Sequence, residues 1–212
     1  MRELVLARRD HPDLGQEASD WTRLAALIAS SAPSDLAGQV FALVADGLIL
    51  HPGTPEARLL TKLAADDPQT LWLLVAEQLE QDNWRLAMSI RGWLTDSLPV
   101  DVPIRWVAGR IDRARLVARI AAVGEDRLSP LATVLLTEFG TDDEVQNALS
   151  AGFVSGGWVG PWSGRIRHQL DLLDTWDEPG APAGVRSWIV QMKRRLNAEL
   201  TETVEREAER GF

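Results

Sequence analysis

The chain has 212 residues, with 22 basic and 31 acidic side chains and a formal net charge of −9. An apolar share of 45% and a charged share of 25% are ordinary for a globular protein, so the composition excludes a wholly disordered chain. The absence of cysteine excludes disulfides, thiolate nucleophiles and cysteine-bound metal centres. Nine tryptophans without a single tyrosine are the unusual feature.

The start of the chain lacks the apolar core of a signal peptide. The longest apolar-rich stretch, Leu36 to Leu50, is interrupted by Gln39 and Asp46 and is too short to span a bilayer. We therefore expect a cytoplasmic protein that does not enter a membrane. The negative net charge also argues against broad, nonspecific binding of nucleic acid.

The N-terminal part of the chain carries a helical pattern. A helix is predicted between Ser19 and Ala32, because apolar residues recur there at three- and four-residue spacing. Its stripe consists of Trp21, Leu24, Leu27 and Ile28. Ser34 is predicted to cap the next helix. We treat residues 1–52 as a weaker N-terminal part of the domain.

Three later helices are predicted from a capping side chain followed by proline, at Thr54-Pro55, Asp67-Pro68 and Ser129-Pro130. Proline suits the first position of a helix because no amide hydrogen is needed there. The hydroxyl or carboxylate before it can accept a hydrogen bond from the backbone. No segment shows a two-residue alternation bounded by hairpin turns. The chain is therefore predicted to be all-α.

The predicted helices also repeat. Leucine pairs at Leu59-Leu60, Leu135-Leu136 and Leu172-Leu173 are separated by 76 and 37 residues, which fits a unit of about 37–38 residues. Acidic residues follow each pair, and we expect them to cap the second helix of each unit. These acidic residues are Asp66-Asp67, Asp142-Asp143, and the set Asp174, Asp177 and Glu178. The alternative is that leucine pairs are common and align by coincidence.

The last unit carries a family resemblance. Residues 172–179, followed by Gly184-Val185-Arg186, resemble a HEAT repeat, with an apolar pair, an Asp-Pro-type turn and Val-Arg entering the second helix. Residues 147–212 also resemble the ends of bacterial HEAT-like proteins, some of which are associated with conflict or phage-defence systems. The resemblance implies one domain over residues 1–212. That domain would be a right-handed α-solenoid of antiparallel helix pairs whose concave face binds another macromolecule.

Two segments depart from the repeat. Residues 152–164 are too long and too rich in glycine for a tight turn, so a loop is predicted there. A long final helix is predicted over residues 183–209, with an acidic end typical of a solenoid cap. Its apolar stripe consists of Trp188, Met192, Leu196, Leu200 and Val204.

No motif points to catalysis. The histidines, His11, His51 and His168, lie in no zinc-protease or nucleophile motif, and Ser163 does not form the Gly-x-Ser-x-Gly elbow of hydrolases. His168 and Asp171 share a helix face that we interpret as solvated rather than metal-binding. The glycine-rich loop lacks the Lys-Ser/Thr end of a P-loop. We predict a protein that is not an enzyme and has no metal and no cofactor.

The glycine-rich loop carries the first candidate binding surface. Trp158 and Trp162 lie in it, with Arg165 and Arg167 just beyond, whereas tryptophans such as Trp72 fall on predicted core stripes. Trp and Arg dominate binding hot spots because each buries a large area and carries a directional polar group. We predict that Trp158, Trp162, Arg165 and Arg167 bind a protein partner. The alternative is that both indoles close the core between the last helix pairs.

A basic segment is the second candidate surface. Residues 105–119 hold five arginines and one aspartate, a net charge of +4. Trp106, Arg110 and Arg113 would share a helix face if one helix continued through Gly109 and Asp112. Arg115 and Arg119 would share another. Such a patch could bind phosphates, with the indole as a stacking surface. The residues of this nucleic-acid site would be Trp106, Arg110, Arg113, Arg115 and Arg119. The alternative is pairing within the chain, with acidic residues such as Glu125, Asp126, Glu138, Asp142 or Asp143.

These patterns favour a noncatalytic helical-repeat scaffold that binds a protein partner as a subunit of a bacterial assembly. An antiviral or conflict system is the setting that the resemblance implies. A nucleic-acid-binding helical-repeat protein is the alternative function, and a regulatory domain of a larger protein remains open. Neither the partner nor the oligomeric state follows from the sequence.

Overall fold

The structure is a computed structural model that describes residues 33–45, 50, 53–124, 127–155 and 158–209. The predicted helix between Ser19 and Ala32 lies outside the described residues, together with most of the predicted N-terminal part. His11 and His51 lie outside them as well.

Helices account for all the regular secondary structure in the described residues, which confirms the all-α prediction. Eleven helices lie in that part of the chain. In chain order they are α1 (Pro33–Ala45), α2 (Pro55–Asp66), α3 (Pro68–Glu80), α4 (Trp84–Ile90), α5 (Trp93–Asp96), α6 (Asp101–Val107), α7 (Ile111–Ile120), α8 (Pro130–Phe139), α9 (Asp143–Val154), α10 (Trp162–Trp176) and α11 (Ala183–Glu209).

The predicted caps begin these helices. Thr54, Asp67 and Ser129 precede the prolines of α2, α3 and α8, and each accepts a hydrogen bond from the amide three residues further on. Asp142 caps α9 in the same way. Each cap satisfies one of the amides that a first helical turn leaves without a partner. α1 differs, because it begins one residue before the predicted cap Ser34.

Contacts between helices divide the chain into two compact units, residues 1–106 and 107–212. In the first unit, α3 packs against α1 and α2, and α4 packs against α1, α3 and α5. Its fully buried large side chains include Leu60, Trp72 and Ile90, so Trp72 occupies the predicted core position. The prediction of a single domain over residues 1–212 stays a prediction.

In the second unit, α11 is the helix against which α8 and α10 both pack. α7 packs against α8 and α9. Leu135, Leu149 and Trp188 are fully buried there. The indole Nε1 of Trp188 donates to Ser150 Oγ at 3.0 Å, so the polar atom of this core side chain has a partner.

The loop predicted over residues 152–164 is much shorter, which corrects the prediction. α9 continues to Val154 and α10 begins at Trp162. The ring centroid of Phe153 lies 5.3 Å from that of Trp176 and 6.0 Å from that of Trp188. Aromatic contacts with residues distant in sequence stabilise a last helical turn that the glycines disfavour locally.

The basic segment is not one helix, so the condition for a helix face shared across Gly109 and Asp112 is not met. α6 ends at Val107 and α7 begins at Ile111. Between them Ala108 and Gly109 have φ angles of 49° and 75°. This left-handed backbone ends a right-handed helix and is readily adopted by glycine.

The final helix, α11, confirms the predicted range of residues 183–209. Trp188 and Met192 are buried, whereas Val204, predicted for the same stripe, is 40% exposed. Each four-residue step advances by about 40° beyond a full turn, so Val204 lies about 160° around the helix from Trp188. Thr203 is buried in its place.

The pairs α2–α3 and α8–α9 share one local plan, in which the caps of the two helices are 13 residues apart. The caps are Thr54 and Asp67 in the first pair, and Ser129 and Asp142 in the second. The predicted capping by the acidic pairs is therefore confirmed at these two positions. Aligning the leucine pairs without a gap matches Asp67 with Asp143. The capping residue of α9 is instead Asp142, one residue earlier.

The third acidic set does not follow the predicted plan. Asp174 and Asp177 lie near the end of α10, and each has a carboxylate oxygen 2.9 Å from Lys193 Nζ on α11. These carboxylates join the two helices through a lysine instead of capping the second one. The right-handed solenoid of antiparallel pairs stays a prediction.

Candidate functional site

Two tryptophans lie at the surface where α10 begins. Trp158 is 40% exposed, Trp162 is 47% exposed, and Val159 between them is almost completely exposed. Both indoles therefore remain accessible instead of closing the core. We call the exposed residues at this position the tryptophan surface; it consists of Trp158, Val159, Trp162, Arg167 and His168.

Trp158 is held against the first turns of α10. Its Nε1 donates to the carbonyl oxygen of Pro161 at 3.0 Å. Its ring stacks on that of His168, with a centroid distance of 5.8 Å and an interplanar angle of 24°. A Cβ added to Gly164 would lie 3.5 Å from the indole, an ordinary contact, so the glycine is not required for this packing. The exposed indole has a defined orientation.

Trp162 is held between an arginine and a glutamate. The guanidinium carbon of Arg165 lies 4.5 Å from the ring centroid, a cation–π contact. On the polar edge, Nε1 donates to Glu199 Oε1 of α11 at 3.3 Å. Like Trp158, this indole is partly exposed and restrained.

The two predicted partner-binding arginines occupy different environments. Arg165 is only 7% exposed, and its guanidinium donates to the carbonyl oxygen of Val154 at the end of α9. It therefore packs against the Trp162 ring and links α10 to α9 through this hydrogen bond. Arg167 is exposed and belongs to the tryptophan surface.

A chain of polar contacts joins the start of α10 to the end of α11. Arg167 Nη1 donates to Ser163 Oγ at 3.1 Å, and the Ser163 amide donates to Glu207 Oε1 at 3.1 Å. Hydrogen bonds from the Ser163 side chain and amide hold the pKa of Glu207 below its usual value. Glu207 thus caps a helix start, where backbone amides lack helical partners and the dipole attracts a carboxylate.

Sequence reasoning did not identify the groups that position the two indoles. Glu199 is 37 residues from Trp162, and Glu207 is 44 residues from Ser163. No local spacing signals such a pairing, because it depends on how α10 and α11 pack. The stacking of His168 on Trp158 also depends on the path of the loop before α10.

In the basic segment, two arginines pair with carboxylates close in sequence. Arg105 lies 2.8 Å from Asp101, and Arg110 lies 2.6 Å from Asp112. The hydrogen bonds from Arg110 lower the pKa of Asp112. All four side chains are largely exposed, so these pairs contribute little to stability but offset much of the positive charge.

Arg115 pairs with two carboxylates at the start of α9. It donates to both carboxylate oxygens of Asp142, at 3.1 and 2.7 Å, and lies 2.9 Å from Glu144. The hydrogen bond with Asp142 raises the pKa of Arg115 and lowers that of Asp142. Pairing within the chain, one of the two sequence-based interpretations, is thus observed here. Glu125 and Asp126 lie outside the described residues.

The other members of the predicted nucleic-acid site, Trp106, Arg113 and Arg119, lie on two different helices. Trp106 is half-buried and packs edge-on against Trp72, with ring centroids 5.8 Å apart and an interplanar angle of 75°. Arg113 is half-buried and Arg119 is exposed on α7. The indole of Trp106, predicted as a stacking surface, therefore contributes to packing within the first unit.

The described residues contain no group of three or more His, Asp or Glu side chains that could hold a metal ion. The candidate metal-binding face of α10 instead has His168 stacked on Trp158. In the same part of the chain, no helix combines the length and the apolar character needed to cross a bilayer.

The chain matches no protein-family model, and neither a curated protein nor a solved structure matches it.

Proposed function

We propose that this chain is a noncatalytic helical protein that binds a protein partner through the tryptophan surface. The observation that carries the proposal is the pair of partly exposed indoles, Trp158 and Trp162, each held in one orientation by neighbouring side chains or backbone. Large aromatic side chains supply much of the binding energy at protein interfaces.

The restraint on these indoles favours a binding role. A side chain that is ordered before association loses less conformational entropy when the partner arrives. Trp158 is ordered by Pro161 and His168, and Trp162 by Arg165 and Glu199. The partner would therefore bind an apolar surface whose side chains are already ordered.

The biological setting of the proposal rests on the HEAT-like resemblance. It comprises a cytoplasmic scaffold, a right-handed solenoid of helix pairs and a subunit of a bacterial assembly. A conflict or phage-defence system is the setting that the resemblance implies. Two features are compatible with the proposed solenoid: the all-helical structure and the shared cap spacing of α2–α3 and α8–α9.

The nucleic-acid alternative has less support. It relies on residues 105–119, where Arg105, Arg110 and Arg115 pair with carboxylates and Trp106 packs on Trp72. Paired arginines have less capacity to neutralise phosphate charge. We therefore keep protein binding as the proposal.

The test is capture of a partner by the full-length chain from an extract of the native host, followed by mass spectrometry. The double variant Trp158→Ala/Trp162→Ala should lose the captured protein, while its far-UV helical signal persists because both side chains are partly exposed. Trp84→Ala is the matched control, since Trp84 is 66% exposed in the other unit. Capture that survives the double change would rule out this surface.

A further inference from the structure

Trp158 and Trp162 each lie against a basic side chain, and these two side chains carry charge differently. The guanidinium of Arg165 lies on the Trp162 ring, and the imidazole of His168 stacks on the Trp158 ring. Arginine is always protonated in proteins, whereas histidine changes its charge between about pH 5 and pH 8. We infer that protonation of His168 strengthens its contact with Trp158, so that acidification holds this indole more firmly in its observed orientation. Because the indole belongs to the tryptophan surface, the consequence for partner binding rests on the proposed function.

Three contacts hold the indole of Trp158 against α10. Its Nε1 donates to the carbonyl oxygen of Pro161 at 3.0 Å, and its ring lies 3.5 Å from the position that a Cβ on Gly164 would take. The third contact is the imidazole of His168, four residues beyond Gly164 and therefore on the same side of the helix. Of these three groups, the imidazole is the one whose charge can change near neutral pH.

The geometry of the stack suits a cation. A positive charge over an indole, within about 6 Å of the ring centroid, is attracted by the quadrupole of the ring. The centroids of the Trp158 and His168 rings are 5.8 Å apart, and their planes are 24° from parallel. Protonation therefore adds an electrostatic attraction to a contact that already exists between two neutral rings. His168 is exposed, so water also reaches the imidazolium.

Charges on α10 influence the imidazole in both directions. Asp171 is three residues further on and is also exposed, so its carboxylate would stabilise an imidazolium. Arg165 and Arg167 disfavour a further positive charge, but Arg165 donates to a carbonyl oxygen of α9 and Arg167 donates to Ser163 Oγ. The helix dipole disfavours a cation mainly in the first turn, and His168 is the seventh residue of α10. Protonation thus gains an attraction from the indole and from Asp171.

The neighbouring elements direct their charged groups to other sides of α10. Residues 145–164, which include α9 after Glu144 and the loop before α10, contain no titratable side chain. The α11 side chains with contacts to α10 are Lys193, Glu199 and Glu207. Their partners on α10 are Asp174, Trp162 and Ser163. All three partners lie about 120–140° around the helix from His168, so the face of the imidazole is not the face that meets α11.

Solvent exchange of the Trp158 indole proton, followed by NMR in the full-length chain, tests the inference. The proton must leave the carbonyl oxygen of Pro161 before it can exchange, so its rate reports how often the indole is released. Its resonance is the one that disappears in Trp158→Phe. His168→Phe is the matched control, because it keeps a ring at this exposed position but cannot be protonated. Comparing two proteins at the same pH removes the pH dependence of the exchange chemistry.

At about pH 5, exchange should be about twofold to fivefold slower in the wild type than in His168→Phe, because a cation–π contact at an exposed site is of that strength. At about pH 8 the two rates should agree within about twofold, since both rings are then neutral. His168→Arg carries a fixed positive charge and should exchange more slowly than His168→Phe at both pH values.

A ratio of wild-type to His168→Phe rates that is equal at the two pH values, or larger in acid, would overturn the inference. No partner enters this measurement, so such a result would leave the proposed function standing. Conversely, capture that survives Trp158→Ala/Trp162→Ala would remove the proposed function without changing the exchange rates.

Discussion

At the scale of single residues, one aspartate performs two tasks that join α7 to α9. Asp142 caps α9 by accepting from the Val145 amide, and it receives both hydrogen bonds of the Arg115 guanidinium. The cap is a local feature, whereas the ion pair spans 27 residues of sequence. Arg115, an arginine of the basic segment, thus forms an ion pair that links two helices of the same chain.

This dual role predicts a dependence of stability on pH. The pKa of Asp142 is lowered in the folded protein, chiefly by the hydrogen bond from Arg115. A lowered pKa favours folding above the unfolded-state value, and that advantage is lost as the pH falls through the folded value. From about pH 5 downward, the free energy of unfolding should therefore decrease.

Chemical unfolding at a series of pH values measures this effect. Asp142→Asn keeps a side chain that can cap a helix but removes the titrating charge, so its stability should fall less on acidification than that of the wild type. Asp171→Asn, at an exposed position on α10, serves as the control. An unchanged acid response in Asp142→Asn would refute the assignment.

At the scale of an element, α11 shows how a long helix changes the face that it buries. Met192 is 2% exposed and lies in the core of the second unit, while Val204 faces solvent slightly more than three turns later. The exposed later turns still contact α10 through Glu199 and Glu207. One helix thus combines a core-forming part with a part that positions the tryptophan surface.

Two alanine substitutions distinguish the two parts of α11. Met192→Ala should reduce the free energy of unfolding by about 2–5 kcal/mol, because it leaves a cavity in a packed core. Val204→Ala should change it by less than about 0.5 kcal/mol, since the valine is partly exposed. Urea unfolding followed by far-UV circular dichroism measures both. Similar losses in the two variants would show that the buried face does not shift.

Elements were predictable where their signals are local. The starts of α2, α3 and α8 followed from a capping side chain and a proline, which act within one helical turn. The break between α6 and α7 could not be placed from the sequence, because Gly109 alone does not reveal the left-handed backbone that it shares with Ala108. The end of α9 was missed because Phe153 packs on Trp176 and Trp188, which are distant in sequence.

At the scale of the whole molecule, the division into residues 1–106 and 107–212 bears on cooperativity. Each unit buries large apolar side chains of its own, such as Leu60 in the first and Leu135 in the second. Regions with separate cores can open as separate cooperative units. We therefore expect that local unfolding of one unit leaves the other unit folded.

Matched leucine substitutions test this expectation by hydrogen exchange of the full-length chain. Leu60→Ala should accelerate amide exchange in α2 and α3 but leave α8 and α9 unchanged, and Leu135→Ala should do the reverse. Each leucine is completely buried, so each change should cost about 2–5 kcal/mol within its own unit. Equal acceleration of both units in either variant would indicate a single cooperative structure.

Local signals in the sequence specify the helical class, several helix starts, the buried positions of Trp72 and Trp188 and the place of the long final helix. These features depend on side-chain periodicity and on capping groups within a few residues of each other. Tertiary packing sets which tryptophans stay accessible, that Arg115 pairs with Asp142 and which glutamates restrain α10. Those outcomes bring together groups 27 to 44 residues apart, and helix packing, not local preference, determines such contacts.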